Sequence, residues 1–230
     1  MEKNILSFLE QLAENNNKGW MDANRDWYLQ VKSDFLEKVD QLLKGLVEIE
    51  PRMDVLKPQN CVFRLNRDVR FSPNKDPYKI HLAAYFAIGG KNSEGPGYYL
   101  HIQPNSSFMG GGVYFPAAES LKKIRQEIDY SGNKFVSILD QKDFKDRFGE
   151  IQGETLKTSP RNYSNDHPHI RYLRMKSFMV STPLTDQEIL SGTYIGKTLE
   201  AFSKMKPFND FLTRALEESE SGDGIINQVP

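Results

Sequence analysis

The sequence predicts an α+β fold, in which a largely antiparallel sheet of about five strands is flanked by N-terminal and C-terminal helices. Near both ends of the 230-residue chain, apolar residues recur at three- and four-residue spacing, the period of an amphipathic helix. Between residues 60 and 115 the period changes to two, and β-branched and aromatic residues dominate, as in strands with one buried face. Turn-rich spacers there favour hairpins, and hairpins make a sheet antiparallel.

Two helices are expected within the first fifty residues. The first carries apolar residues at helical spacing and stops at the polar run 15–19. Its apolar positions are Ile5, Phe8, Leu9 and Leu12. The second pattern begins at Trp20 and ends near Pro51, with a bend near Ser33 and Asp34, where a new cap is available.

The strands are expected after this helical part, and further helices follow them. The expected strands are 61–65, 84–88, 98–102, 107–115 and 177–181. Helical spacing returns after Pro116, and the later helices are expected at 185–190, 194–206 and 208–218. Residues 140–170 give no clear pattern. The acidic residues 219–230 are expected to form a flexible tail after a single domain of residues 1–218.

Composition excludes several classes of protein. Hydrophobic residues make up 38% and charged residues 27%, the balance of a folded protein, and no apolar run approaches the roughly 20 residues of a membrane span. The single cysteine, Cys61, excludes a disulfide framework and a cysteine-built metal site, and it fits the cytoplasm, where we expect the protein. The first residues lack the order of a signal peptide. Phosphate-loop, Rossmann and zincin motifs are absent, so no cofactor is expected.

Charge is uneven along the chain. The whole sequence has a formal charge of −1, but residues 57–81 hold six basic and two acidic side chains, so this segment carries +4 and the remainder −5. As a strand, the segment would place Arg64, Asp68 and Arg70 on one face. Guanidinium groups so close repel one another by about 1–4 kcal/mol per pair unless an anion lies among them. That anion is either an internal carboxylate, Asp68 or Asp76, or a bound ligand; a solvated charged face is the third possibility.

Residues 64–78 also carry a resemblance to a known family. They read RLNRDVRFSPNKDPY, and this run is similar to the arginine-rich signature of an uncharacterised family, a domain of unknown function found mainly in bacteria and also in fungi. The signature positions are Arg64, Arg67, Asp68, Arg70, Phe71, Asn74, Lys75 and Tyr78. The resemblance extends to Asn15-Asn16, Trp20, Gly97-Tyr98-Tyr99, the glycines at 110–112 and Asp166-His167-Pro168. It implies a single domain of this length and no particular activity.

Strand parity predicts what surrounds this segment. In the strand at 98–102, Tyr99 and His101 share the polar face, and they are the candidate catalytic residues if the protein is an enzyme. The glycines at 110–112 indicate a pocket floor, an enlarged hairpin turn or the close packing of a helix. His167 and His169 have metal-ligand spacing but no third histidine nearby, so no metal site is expected and their role stays open.

The leading hypothesis is a protein that binds a small anionic molecule, bearing phosphate or carboxylate, through its arginine-rich segment. The candidate ligand-binding residues are Arg64, Arg67, Asp68, Arg70, Asn74, Lys75, Tyr78, Gly110, Gly111 and Gly112. Parity predicts that Arg64 and Arg70 converge with Tyr99 and His101, unless a bulge brings Arg67 in instead. The alternatives are an RNA or single-stranded DNA module, and a structural or protein-interaction domain whose arginines pair internally. No membrane partner is expected, and the oligomeric state is left open.

Overall fold

The computed structural model describes residues 2–217, so the predicted tail at 219–230 lies outside the described residues. The N-terminal helices are α1 (Glu2–Glu14), α2 (Lys18–Ala23), α3 (Arg25–Ile49) and α4 (Pro58–Cys61), with a 3-10 turn at Pro51–Met53. The later helices are α5 (Ala118–Leu139), α6 (Lys142–Phe148), α7 (Ile170–Leu173), α8 (Asp186–Leu190) and α9 (Tyr194–Glu217). None of these described helices is both long enough and apolar enough to cross a membrane.

The described residues form one antiparallel sheet of four strands, hydrogen-bonded in the order in which they occur along the chain. The strands are β1 (Leu82–Ala87), β2 (Gly97–Ile102), β3 (Ser107–Val113) and β4 (Phe178–Leu184). The predicted α+β class, with helices before and after an antiparallel sheet, is confirmed.

The predicted strand at 61–65 is wrong, and the sheet therefore has four strands rather than five. Pro58 opens the short helix α4, which occupies the start of the expected strand. The chain then runs beside β1 through isolated antiparallel bridges, Val62 with Ala84 and Asn66 with Tyr78. Phe63 bonds Ala83 while Leu65 bonds Lys79, so the returning chain has extra residues between these contacts and the ladder is interrupted there.

The long N-terminal helical pattern breaks earlier than predicted, at Asn24 and not near Ser33 and Asp34. The Asn24 side-chain amide donates to the carbonyl of Trp20 at 2.9 Å, so it competes with the helical backbone and ends α2. Asp34 instead lies buried within α3, where its carboxylate accepts hydrogen bonds from Asn4 and Gln30. Since those side chains satisfy the carboxylate, it does not act as a cap.

The described chain divides into two compact units, each made of several segments. The first unit contains residues 2–93, 98–110 and 182–203, and the second contains residues 94–97, 111–181 and 204–217. The expected single domain of residues 1–218 stays a prediction.

The first unit has a core of helices packed on one face of the strands. α1 packs on α3 through buried side chains that include Phe8 and Phe35, and α3 also contacts β1. On the strands, the buried face includes Phe86 and Tyr98, whose rings lie 6.2 and 4.9 Å from the ring of Phe202. This packing buries the face of Phe86 and Tyr98, and the opposite face carries Tyr85 and Tyr99, which are only partly buried.

The second unit has a core of phenylalanine rings. Phe135 of α5 lies 4.8 Å from Phe211 and 6.1 Å from Phe208, measured between ring centroids. Phe208 and Phe211 lie after Pro207, which α9 accommodates inside one continuous helix, although two separate helices were predicted there. Arg125 of α5 donates to the carbonyls of Leu173 and Met175, so its guanidinium fixes the backbone at the end of α7.

Two glycines of β3 allow neighbouring groups of the second unit to approach closely. A Cβ on Gly111 would lie 2.2 Å from the carbonyl oxygen of Gly97 and 2.5 Å from the sulfur of Met205. A Cβ on Gly112 would lie 2.0 Å from the carbonyl oxygen of Phe178, and Gly112 has a φ of +107°. The structure therefore gives these glycines a packing role, one of the three possibilities that the sequence leaves open.

We predict that Gly112→Ala destabilises the protein by about 1–3 kcal/mol or more, because the new methyl group overlaps a backbone oxygen that cannot rotate away. Gly192→Ala is the matched control, since Gly192 also has a positive φ, +74°, but has no atom within 4 Å of the added carbon. Urea unfolding of both variants measures the difference. Equal losses for the two variants would show that backbone strain, and not crowding, fixes glycine at position 112.

Candidate functional site

Residues 66–78, here called the arginine loop, form a loop of the first unit that precedes β1 in the chain. The two arms of the loop pair through backbone hydrogen bonds, from Arg67 N–H to the carbonyl of Pro77 at 2.9 Å and from Lys79 N–H to that of Leu65 at 2.8 Å. The Arg67 guanidinium adds a bond to the carbonyl of Asp76 at 3.1 Å. One of the three signature arginines is therefore used to hold the loop closed.

Asp68 and Arg70 form a bidentate ion pair within the arginine loop. Arg70 Nε donates to Asp68 Oδ1 at 3.0 Å and Arg70 Nη2 donates to Oδ2 at 2.7 Å. The pair is exposed, and the Arg70 side chain is the main cause of a lowered pKa for the Asp68 carboxyl. Lys75 Nζ donates to the carbonyl of Val69 at 3.0 Å. Both cations therefore have partners inside the loop.

Two further signature residues of the loop, Asn74 and Tyr78, also make local contacts. Asn74 Oδ1 accepts a hydrogen bond from the backbone N–H of Asp76 at 2.8 Å, which shapes the turn. The backbone N–H and carbonyl of Tyr78 both bind the side-chain amide of Asn16, at 3.1 and 3.0 Å. The polar run after α1 thus fixes the returning arm of the arginine loop.

Arg64 and Lys79 are used differently from the loop cations. Neither side chain makes a hydrogen bond or an ion pair with any of the residues 2–217. Arg64 is exposed, whereas Lys79 is half-buried with its Nζ 5.4 Å from the centroid of the Phe63 ring. Burial, and then the positive charge of Arg64, lowers the pKa of the Lys79 ammonium. The backbone N–H of Lys79 bonds the carbonyl of Leu65, the residue after Arg64, so the two cations lie on paired chain segments.

A continuous group of rings begins beneath Lys79; it consists of Phe63, Tyr99, Phe108, His101 and His81 and is here called the ring surface. Centroid distances along it are 6.4 Å from Phe63 to Tyr99, 5.5 Å from Tyr99 to Phe108 and 4.7 Å from Phe108 to His101. His101 and His81 follow at 4.2 Å. His101 is buried, but the other four rings are partly exposed.

Both ring nitrogens of His101 are engaged. The Gln103 Oε1 atom lies 3.1 Å from Nε2 and can only accept, so Nε2–H donates to it and Nδ1 accepts from the Tyr99 hydroxyl at 3.1 Å. Burial lowers the pKa of His101 and raises the pKa of Tyr99 to about 12. The predicted sharing of one face by Tyr99 and His101 is confirmed, and the pair is neutral at pH 7.

His81 differs from His101 because its ring makes no hydrogen bond to a residue in the described part of the chain. Burial lowers the pKa of His81 to about 4, and the neighbouring His101 and Lys79 add to the effect. At pH 7 its imidazole is therefore neutral and offers one donor and one acceptor to whatever lies against it.

The predicted convergence of Arg64 and Arg70 with Tyr99 and His101 stays a prediction. The contact from this segment to the Tyr99 ring is made by Phe63, and the Arg70 guanidinium binds Asp68. The segment is a chain with isolated bridges to its neighbour and not a regular strand, so strand parity does not fix the direction of the Arg64 side chain.

The three glycines predicted to bind the ligand, at 110–112, do not all belong to the same unit. β2 and β3 are joined by a two-residue turn, which places His101 opposite Phe108 and Tyr99 opposite Gly110. Gly110 therefore lies on the face that carries the ring surface. Gly111 and Gly112 belong to the second unit, where they permit close packing. Ligand binding by any of these glycines stays a prediction.

Sequence reasoning missed four members of this arrangement: Phe63, Lys79, His81 and Phe108. In a strand at 61–65 Phe63 would lie on the face opposite Arg64, so the pattern does not single it out as a site residue. Phe108 could have been found from the Pro104-Asn105 turn, since a two-residue hairpin loop fixes which residues lie opposite each other. Lys79 and His81 follow the signature directly, but a single sequence gives no signal for the direction of their side chains.

The other titratable cluster lies in the second unit and is structural. His167 Nε2 donates to Asp129 Oδ1 at 2.9 Å, and His167 Nδ1 accepts from the backbone N–H of His169 at 3.1 Å. The His169 ring packs directly on Gly132 of α5. Among residues 2–217 no three or more His, Cys, Asp or Glu side chains gather where they could hold a metal ion.

A shallow cavity of about 210 Å³ also lies in the second unit. Its wall includes Asp140 and Lys145, which pair with each other at 3.0 Å, together with Arg171 and Tyr172. The Arg171 guanidinium stacks on the Tyr172 ring with 4.4 Å to the centroid. The charged groups of this wall are thus largely occupied by each other.

Comparison with known protein families finds a family that matches the chain. Residues 4–211 match a family described as a conserved hypothetical protein, DUF2461. The chain belongs to the DUF2461 family. The match spans both units of the structure and includes the arginine loop and the ring surface, which agrees with the resemblance inferred from residues 64–78. The curated proteins and the solved structures with which the sequence was compared contain no match.

We predict that stability falls as the pH is lowered from about 6.5 to about 4, partly because of His81. The unfolded histidine takes up a proton in this range and the folded one does not, so acid favours the unfolded state. The folded pKa is the lowered one, so this contribution is complete above pH 6.5 and lost below it. Urea unfolding at several pH values should give a smaller slope for His81→Gln than for the wild type. Identical slopes would mean that His81 is protonated as easily when folded as when unfolded.

Proposed function

We propose that the first unit binds a small anionic ligand, bearing phosphate or carboxylate, between the guanidinium of Arg64 and the ammonium of Lys79. The observation that carries the proposal is that these two cations lie on paired chain segments and have no hydrogen-bonded or ion-paired partner in the described chain. Asp68 is an acidic group within electrostatic range of Arg64, but both of its oxygens bind Arg70.

The electrostatics of the pair favour an anion. Like charges repel each other, and the partial burial of Lys79 reduces the screening of this repulsion by solvent. The ring of Phe63 compensates the Lys79 charge in part, since a cation over an aromatic face gains about 0.5–1 kcal/mol at exposed sites. A bound phosphate or carboxylate converts the repulsion into two attractions, with Arg64 able to bind in bidentate geometry.

The remaining signature residues act indirectly in this proposal. Arg67, Lys75 and the Asp68–Arg70 pair hold the shape of the arginine loop, and the returning arm carries Lys79. Their contribution to binding is then to keep Lys79 beside Arg64. This differs from a site in which every signature cation contacts the ligand.

A small ligand fits better than a long polyanion. Nucleic-acid binding depends on several cations that are free to contact phosphates. Here Arg67, Arg70 and Lys75 are engaged within the loop, which leaves Arg64 and Lys79 as the pair that the loop does not neutralise. Neither Tyr99 nor His101 is proposed as a catalytic group, because they bind each other and Gln103.

We predict that pyrophosphate or citrate raises the melting temperature of the wild-type protein at constant ionic strength. At a hundredfold excess over its dissociation constant a ligand adds about 2.7 kcal/mol of stability. Arg64→Gln should weaken binding at least tenfold, about 1.4 kcal/mol, and Lys79→Met should act in the same direction.

The control is Arg161→Gln, because Arg161 is also exposed and makes no side-chain hydrogen bond to a described residue, but it belongs to the second unit. Titration calorimetry on the three variants gives the affinities. The proposal is overturned if no anion binds the wild type, or if Arg64→Gln binds as tightly as Arg161→Gln does.

A further inference from the structure

We infer that the anion carries a planar heterocycle, as a nucleoside monophosphate does, with its phosphate at Arg64 and Lys79 and its ring on the ring surface. This inference rests on the proposed function and adds the class of ligand. It is drawn from three features of the first unit: the position of the rings, their exposure, and the unpartnered imidazole of His81.

The first feature is position, because the ring surface starts at the cation site itself. Lys79 Nζ lies 5.4 Å from the Phe63 centroid, and Phe63 leads to Tyr99 and Phe108 in steps of 6.4 and 5.5 Å. A ligand whose phosphate lies at Lys79 has these rings within the length of a sugar and a base. Inorganic phosphate would use the cations and leave the rings uncovered.

The second feature is exposure. On the opposite face of β2 the apolar side chains are covered, with Tyr98 2% and Leu100 0% exposed. On the ring-surface side Phe63, Tyr99 and Phe108 are each only partly buried, although they contact one another. Partly exposed aromatic faces next to cations are the combination on which bases stack while their phosphates are bound.

The third feature is the imidazole of His81, which favours a heterocycle over a plain hydrocarbon ring. It lies at the end of the ring surface, 4.2 Å from His101, and has no hydrogen-bond partner among the described residues. Charged and titratable neighbours are His101 and Lys79, and both disfavour its protonation. A neutral imidazole supplies one donor and one acceptor, which the polar edge of a base can match.

The test is a calorimetric series at constant ionic strength with inorganic phosphate, ribose 5-phosphate and the four common nucleoside monophosphates. We expect at least one nucleotide to bind about tenfold or more tightly than ribose 5-phosphate, since stacking on one ring contributes about that factor. Phe108→Leu keeps an apolar side chain and removes a ring, so it should remove most of this margin and leave the affinity for phosphate unchanged.

The control for the ring variant is Tyr130→Leu, because Tyr130 is 91% exposed on α5 in the second unit. If Phe108→Leu does not fold, Phe63→Leu tests the same margin from the other end of the ring surface. His81→Gln should alter the preference among the four bases more than it alters the affinity for ribose 5-phosphate.

Three results would overturn the inference in distinguishable ways. If phosphate, ribose 5-phosphate and nucleotides bind equally, the inference of a heterocycle is wrong and the anion site is retained. If no compound binds, both the anion site and the heterocycle are wrong. A single-stranded oligonucleotide that binds far more tightly than any mononucleotide, with a steep dependence on salt, replaces the small ligand with a nucleic acid.

Discussion

The backbone pairing of Leu65 with Lys79 at the base of the arginine loop determines which side chains meet in the first unit. This hydrogen bond of 2.8 Å brings the returning arm beside the outgoing one. Lys79 can then lie over Phe63, and Phe63 can lie against Tyr99 of the neighbouring sheet. Without this closure the signature would be a solvated basic segment, and its charges would be independent of the strands.

The basic side chains of the arginine loop bind partners within the loop, whereas Arg64 and Lys79 beside it do not. The bidentate bond between Asp68 and Arg70 and the bonds from Arg67 and Lys75 to backbone carbonyls each use a cation that the sequence alone presents as free. Such exposed contacts contribute little stability individually, typically below about 1 kcal/mol. Together they order the loop and leave Arg64 and Lys79 without an ion-paired partner among the described residues, because the Asp68 carboxylate near Arg64 is bound to Arg70.

The sequence predicts regular elements well and irregular ones poorly. The shared face of Tyr99 and His101 follows from period-two alternation, because β2 is a paired strand on both sides. The same rule does not apply at Arg64, where a helical turn and isolated bridges replace a strand. The helix break at Asn24 follows a local side-chain bond to Trp20, whereas the similar capping signal of Asp34 is occupied by Gln30 one turn earlier and by Asn4 of α1. Which capping signal acts therefore depends on the partners that the fold supplies, and one of them, Asn4, is distant in sequence.

The electrostatic state of His81 follows from the same arrangement. A positive charge on His81 would be repelled by Lys79, and burial already disfavours the imidazolium form. The imidazole is therefore neutral through the physiological range, and it acts as a hydrogen-bonding group instead of a charge. In the proposed site, the cations at one end of the ring surface attract the anion and so determine affinity. The neutral imidazole at the other end offers a directional hydrogen bond and so determines selectivity among ligands.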